Sequence, residues 1–233
     1  MGTLRVGVAL PDPPFTGMPS DGGRPAGLDI DLMTAIADRL ARRVEFIAFD
    51  GDDFEAVFEG LGSHYDCVAA GTTVTPEREQ RASFAPPYLI SGQALAVDTA
   101  RVPHVRSIDD LTGLTVGVRR GSTAGTVADR LVAEGKAGAV RRYDRPDAWV
   151  GDCDAFIALG PALTELVKPL STVDVVQQGL STEHIAIAVA TDDTQLLSRI
   201  TVAQAELEDA GTLQQIRRRW LGNPYADQSL AVH

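Results

Sequence analysis

Asp66-Cys67-Val68-Ala69-Ala70-Gly71-Thr72-Thr73-Val74-Thr75-Pro76-Glu77-Arg78 joins an apolar run to a helix start through a polar turn. Asp66–Ala70 reads as a strand, a short apolar run bounded by turn residues. Thr75-Pro76-Glu77-Arg78 reads as a helix start. Thr serves as N-cap, Pro needs no N–H at the first helical position, and the macrodipole favours Glu in the first turn. Between them, Gly71 lets a ligand approach the backbone, Thr72 and Thr73 add hydroxyls, and Arg78 presents a planar fork suited to a carboxylate.

The same alternation extends both ways. Upstream, Leu4–Leu10 predicts a strand stopped by Pro11-Asp12-Pro13-Pro14, which no strand or helix interior tolerates. Leu28, Leu32, Met33, Ile36 and Leu40 form one apolar stripe of a helix. Val44–Phe49 is a second strand, and the loop Asp50-Gly51-Asp52-Asp53 leads into a helix over Phe54–Leu61. Downstream the pattern restarts: a short helix at Ile108–Leu111, the strand Leu114–Val118, the turn Arg120-Gly121-Ser122-Thr123 and a helix to about Glu134. Strands follow at Ala139–Tyr143, Ala155–Leu159 and Ile185–Ala190, then helices Thr194–Asp209 and Leu213–Leu221. A βαβ pattern started twice predicts two α/β lobes, each with a mostly parallel sheet and its ligand groups at the strands' carboxyl ends.

Composition sets outer limits. The 233 residues carry 21 Lys+Arg against 32 Asp+Glu, a net charge of −11, which argues against nucleic acid as a partner. A hydrophobic share of 44% supports a buried core and excludes intrinsic disorder. No apolar run reaches the ~18–20 residues of a membrane span, and the chain opens almost directly in the strand Thr3–Val8. That opening suits either a cytosolic protein or an exported chain from which a signal peptide or lipid anchor is absent, with Met1-Gly2 added.

Common catalytic signatures fail. In Gly121-Ser122-Thr123-Ala124-Gly125 the Ser stands one place early for a nucleophile elbow, and neither a Walker loop nor a Gly-x-Gly-x-x-Gly run occurs. His64, His104, His184 and His233 share no spacing and read as surface or loop residues. Asp29-x-Asp31 reads as a pair favoured by a helix N-terminus rather than as metal ligands, and Asp50–Asp53 as a solvated turn. Cys67 and Cys153 read as small buried hydrophobes. The expectation is no catalytic residue, no metal and no cofactor.

Six motifs in order carry a resemblance. Gly27-Leu28-Asp29-Ile30-Asp31-Leu32 looks like the Gly-Phe-Asp-x-Asp-Leu helix start of the polar amino-acid solute-binding proteins of ABC importers. Tyr65-Asp66 with Ala70–Arg78 resembles their central signature, and Phe84-Ala85-Pro86-Pro87-Tyr88 the Phe-Ser-x-Pro-Tyr after it. Asp110–Val118 and Gly121-Ser122-Thr123 are similar to the opening of the second lobe. Gly211-Thr212-Leu213, Ile216 and Trp220-Leu221-Gly222 match the C-terminal helix. The likeness runs from about Leu4 to Asn223.

The resemblance implies a type II periplasmic-binding-protein flytrap with two hinge strands, Gly92–Val97 and Ile185–Ala190. One lobe would be 1–92 plus 190–233 and the other 93–189. It implies a periplasmic or extracellular, membrane-associated monomer that delivers a small carboxylate-bearing solute to an ABC permease. Arg78 would clamp the carboxylate, with Thr73, Thr72 and Gly71 beside it. Ser122, Thr123 and Arg119 would act from the other lobe, and Phe54 would pack on the solute. Three departures from the family pattern stand out: Leu159 occupies the place of the Asp that holds the ligand ammonium, Ala9 that of a second pocket Asp, and Asp12 that of an aromatic before Pro13-Pro14-Phe15. Either Asp12 supplies the counter-charge or the solute is not an ordinary α-amino acid. A receptor's sensor domain and a cyclohexadienyl-dehydratase-like enzyme, with Asp12 as its acid, are the alternatives.

Overall fold

The first strand, β1 (Thr3–Val8), buries Leu4, Val6 and Val8 completely in the computed structural model, which describes residues 2–18, 23–49, 51–226 and 228. The stripe Leu28, Leu32, Met33 and Ile36 of α1 (Leu28–Arg39) is buried in the same way, as its spacing requires. β2 (Arg43–Ala48) pairs parallel to β1, and β3 (Cys67–Val68) pairs parallel on the other side. α2 (Pro76–Glu79), β4 (Ser83–Phe84) and β5 (Leu89–Ser91) follow.

The chain divides into two units, and the second comprises Gly51–Glu55 and Ser91–Glu183. It contains β6 (Gln93–Asp98), β7 (Thr115–Arg119), α3 (Ala124–Ala133), β8 (Ala139–Tyr143), β9 (Ala155–Leu159), α4 (Gly160–Val167) and β10 (Val173–Gln177). Its sheet has the order β10-β6-β9-β7-β8. Apolar side chains alternate across it: Leu95, Val97, Val116, Val118, Ala155 and Ile157 join Val127, Ala128 and Leu131 of α3 in one core. Ala94, Ala96, Phe156 and Tyr143 face Trp149, Cys153 and Leu163 in the other. Every residue of β6 is buried, as expected for a strand covered on both faces.

β11 (Glu183–Ile185) returns the chain to the first unit, where β12 (Ala188–Val189) lies between β3 and β4. The first sheet thus has the order β2-β1-β3-β12-β4. α5 (Thr194–Asp209), α6 (Thr212–Leu221) and α7 (Asn223–Ala226) complete the unit, with α5 and α6 packed on α1.

Several expectations need correction. Neither sheet is mostly parallel in the expected sense: β12 is antiparallel to β3 and β4, and β6 to β9 and β10. β6 and β12 are reached soon after the chain passes between units, without the helical crossover that parallel pairing requires. Phe54–Leu61 is only a 3-10 turn at Phe54–Phe58, and Ile185–Ala190 is two short strands. The division between units falls at Ile90/Ser91 and Glu183/His184, and Gly51–Glu55 belongs to the second unit. β10 and α4 were not anticipated: Val173–Gln177 is a short strand, and in Gly160-Pro161 the Pro takes the first turn of a helix.

Candidate functional site

In the first unit the polar turn after β3 is built as its sequence indicates. The Thr75 hydroxyl caps α2 by accepting from the Arg78 backbone N–H at 3.2 Å, with Pro76 in the first turn. The Arg78 side chain turns inward, 4% exposed, and donates through Nη1 to the Thr73 carbonyl at 2.9 Å. Its guanidinium lies 5.6 Å from the Phe58 ring centroid. Thr73 bridges to Ile185, which fixes the backbone of the turn. The Thr72 side chain is wholly buried, and its hydroxyl has no hydrogen-bond partner among the described residues. Gly71 adopts φ +58°, and a Cβ there would lie 3.0 Å from the Phe15 ring. Both facts favour glycine.

Gly71 is also held from a distance. Its N–H donates to Asp29 Oδ2 at 2.8 Å, and the Tyr88 hydroxyl donates to Asp29 Oδ1 at 2.6 Å. Asp29 is fully buried, and desolvation pushes its pKa up to about 7 against the lowering effect of those hydrogen bonds. The half-buried Asp12 pushes it in the same upward direction. Asp31 instead accepts from Trp220 Nε1 at 2.8 Å and from Arg219 at 3.2 Å. The Asp-x-Asp pair therefore does more than satisfy a helix dipole: one carboxyl fastens the Gly71 turn and the other fastens α6 to α1. Asp12 sits in the proline loop, its backbone N–H paired to the Thr16 carbonyl at 2.6 Å.

The second unit holds the remaining positions at the carboxyl ends of β7 and β9. Arg119 closes β7, with its guanidinium 5.1 Å from the Phe54 ring centroid. Phe54 is buried, and its N–H donates to the Arg120 carbonyl at 3.3 Å. The Ser122 hydroxyl donates to the Arg119 carbonyl at 2.7 Å, folding the turn back on its strand. Ser122 is thus no N-cap: Thr123 is the N-cap residue of α3, and its side chain makes no capping bond. Thr123 Oγ1 accepts from Gln93 Nε2 at 2.9 Å and donates to Glu183 Oε2 at 3.1 Å. Leu159, half-buried, ends β9 directly opposite Gln93 in the register.

The structure thus groups Gly71, Thr72, Thr73 and Arg78 in one unit and Phe54, Arg119, Ser122, Thr123 and Leu159 in the other; Asp12 lies in the first. Gln93 and Glu183 were not expected at the site, since neither belongs to a motif and both act through residues far along the chain. Cys67 and Cys153 are buried free thiols, as expected. His64, His104 and His184 are exposed. Asp50 and His233 lie outside the described residues, while Asp53 caps the Glu55 N–H at 2.9 Å.

Two α/β units, each with a mixed five-stranded sheet, define the class of type II periplasmic binding proteins. Residues 4–223 match the family described as bacterial extracellular solute-binding proteins, family 3, and the chain belongs to that family. The L-cystine-binding protein TcyJ of Escherichia coli (strain K12) is 28% identical, covering 95% of this chain and 83% of its own. An ancestral arginine-binding protein bound to glutamine is 34% identical with a TM-score of 0.85, covering 96% of this chain and 99% of its own. An ancestral amino acid-binding protein, a precursor of cyclohexadienyl dehydratase, is 27% identical with a TM-score of 0.81, covering 94% and 95%.

Proposed function

We propose that this chain captures an amino acid for a bacterial ABC importer, as an exported monomer that hands its solute to a permease. The reading is carried by Arg78, a buried guanidinium pinned by the Thr73 carbonyl beside Gly71. A planar fork held in place suits a carboxylate, because little side-chain entropy is left to lose on binding. In the second unit, the Ser122–Thr123 turn at the N-terminus of α3 has by itself the character of an anion site, with Arg119 on Phe54 beside it. L-Cystine, from the name of TcyJ, and arginine and glutamine, from the ancestral arginine-binding protein bound to glutamine, are the first solutes to try.

Binding rather than turnover is the function we infer. A dehydratase needs an acid near neutral pKa that reaches its substrate. The Asp29 carboxyl is pushed up to about 7, but it is fully enclosed with both oxygens engaged. Calorimetric titration of the purified chain with the three amino acids tests the reading. Saturable binding that is lost in Arg78→Ala supports it, and turnover of a prephenate-like acid would replace it with the enzyme.

A further inference from the structure

Gln93, 2% exposed at the start of β6, is the origin of two parallel hydrogen-bond relays. Its backbone N–H donates to Ser181 Oγ at 3.1 Å, and Ser181 Oγ donates to Glu183 Oε1 at 2.6 Å. Its amide Nε2 donates to Thr123 Oγ1 at 2.9 Å, and Thr123 Oγ1 donates to Glu183 Oε2 at 3.1 Å. An ionised carboxylate only accepts, so each hydroxyl spends its proton on Glu183 and has only lone pairs to offer Gln93. That direction fixes the amide: nitrogen faces Thr123, and Oε1 is left over. Gln93 Oε1 is buried with no hydrogen-bond partner among the described residues. Leu159, directly across the register, has no side-chain donor to give it.

A buried acceptor without a donor carries its desolvation penalty uncompensated. Glu183, 5% exposed, adds a buried negative charge reached here by two neutral hydroxyls. A protonated amine answers both needs, since it donates N–H and brings the opposite charge. We propose that Gln93 is a specificity-determining residue of this protein: its Oε1 accepts an N–H from the protonated amine of the solute, with Glu183 supplying the opposing charge behind it. The proposal rests on the amino-acid-binding reading and deepens it by naming the group recognised in the second unit.

The test is calorimetric titration of the purified chain, at neutral pH, with three pairs of probes. L-Arginine is set against 5-guanidinopentanoate, L-glutamine against glutaramate, and L-cystine against 3,3′-dithiodipropionate, each partner lacking the α-amine. Losing a hydrogen bond to a charged group predicts a preference for the amine-bearing member of a bound pair of about 10- to 100-fold. In Gln93→Met, which keeps the side-chain length without the amide, that preference should collapse while the desamino probe changes little. A change acting only through Thr123 would instead weaken both members of a pair alike. Glu183→Gln, with melting temperature as the folding control, should shrink the preference in the same sense. A preference that survives intact in a folded Gln93→Met protein overturns the proposal, as does equal binding of both members by the unmodified chain. In either case carboxylate capture stands. Failure of all six probes to bind overturns the amino-acid reading and this proposal together.

Discussion

Arg78 and Asp29 act on the same turn through opposite kinds of burial. Arg78 is anchored by the Thr73 carbonyl and stacked on Phe58, so its fork is oriented before a solute arrives. Truncating one partner of a buried charge pair costs ~2–5 kcal/mol, and Arg78→Ala should therefore weaken amino-acid binding by about 30- to several-thousand-fold. Arg78→Lys should recover little, because a point charge cannot reproduce the planar fork. Wild-type affinity by calorimetry in either variant would remove Arg78 from the site. Asp29 makes its own prediction through protonation. Burial raises its pKa from 3.8 to about 7, so between those values the folded state holds a proton that the unfolded chain has released. Stability from this group is therefore greatest below pH 4, falls as pH climbs to about 7, and levels off above it. Melting curves from pH 4 to 8 should show wild type losing ground to Asp29→Asn across that window. Parallel curves for the two proteins would show that the carboxyl does not titrate there.

At the scale of the element, the turn before α3 depends on one glycine. Gly121 has φ +70°, and a Cβ there would collide with Asp53 Oδ1. Gly121→Ala should cost roughly 1–3 kcal/mol of stability, from left-handed backbone and collision together. Asp53→Ala removes the cap on Glu55 and should cost about 1 kcal/mol alone. Combined, the two should cost less than their sum, because the carboxylate that the new methyl strikes is gone while the backbone strain stays. Additive losses in chemical denaturation would mean that the turn moves aside and the contact does not matter. The expected helix starts illustrate which local signals suffice. Thr75-Pro76 delivers its cap as read, because an N-cap bond joins residues three apart. The turn before α3 forms no side-chain cap, because the Ser122 hydroxyl donates to the Arg119 carbonyl instead.

Across the first unit, buried polar groups link elements far apart in the chain. Arg217 of α6 is completely buried, paired with Glu208 of α5 at 2.6 Å and donating to the Tyr88 carbonyl at 3.1 Å. Tyr88 in turn reaches Asp29, and Asp29 reaches Gly71. Arg217→Met should cost ~3–5 kcal/mol by stranding Glu208, and adding Glu208→Leu should restore part of it. A double variant no more stable than the single would show that the ion pair is not what holds α6. The sequence determined on its own what neighbours in the chain decide: the helices of apolar period, the Thr75 cap, the apolar runs that bury Cys67 and Cys153, and the six ordered motifs of the family. Only the tertiary structure decided the rest. Asp29 joins Gly71 across 42 residues, Gln93 meets Thr123 across 30, and Thr123 meets Glu183 across 60. Local spacing brings residues a few positions apart to one helix face, so it is legible in advance. A buried carboxyl or amide takes whichever partner packing carries to it, and that choice exists only once the sheets have formed.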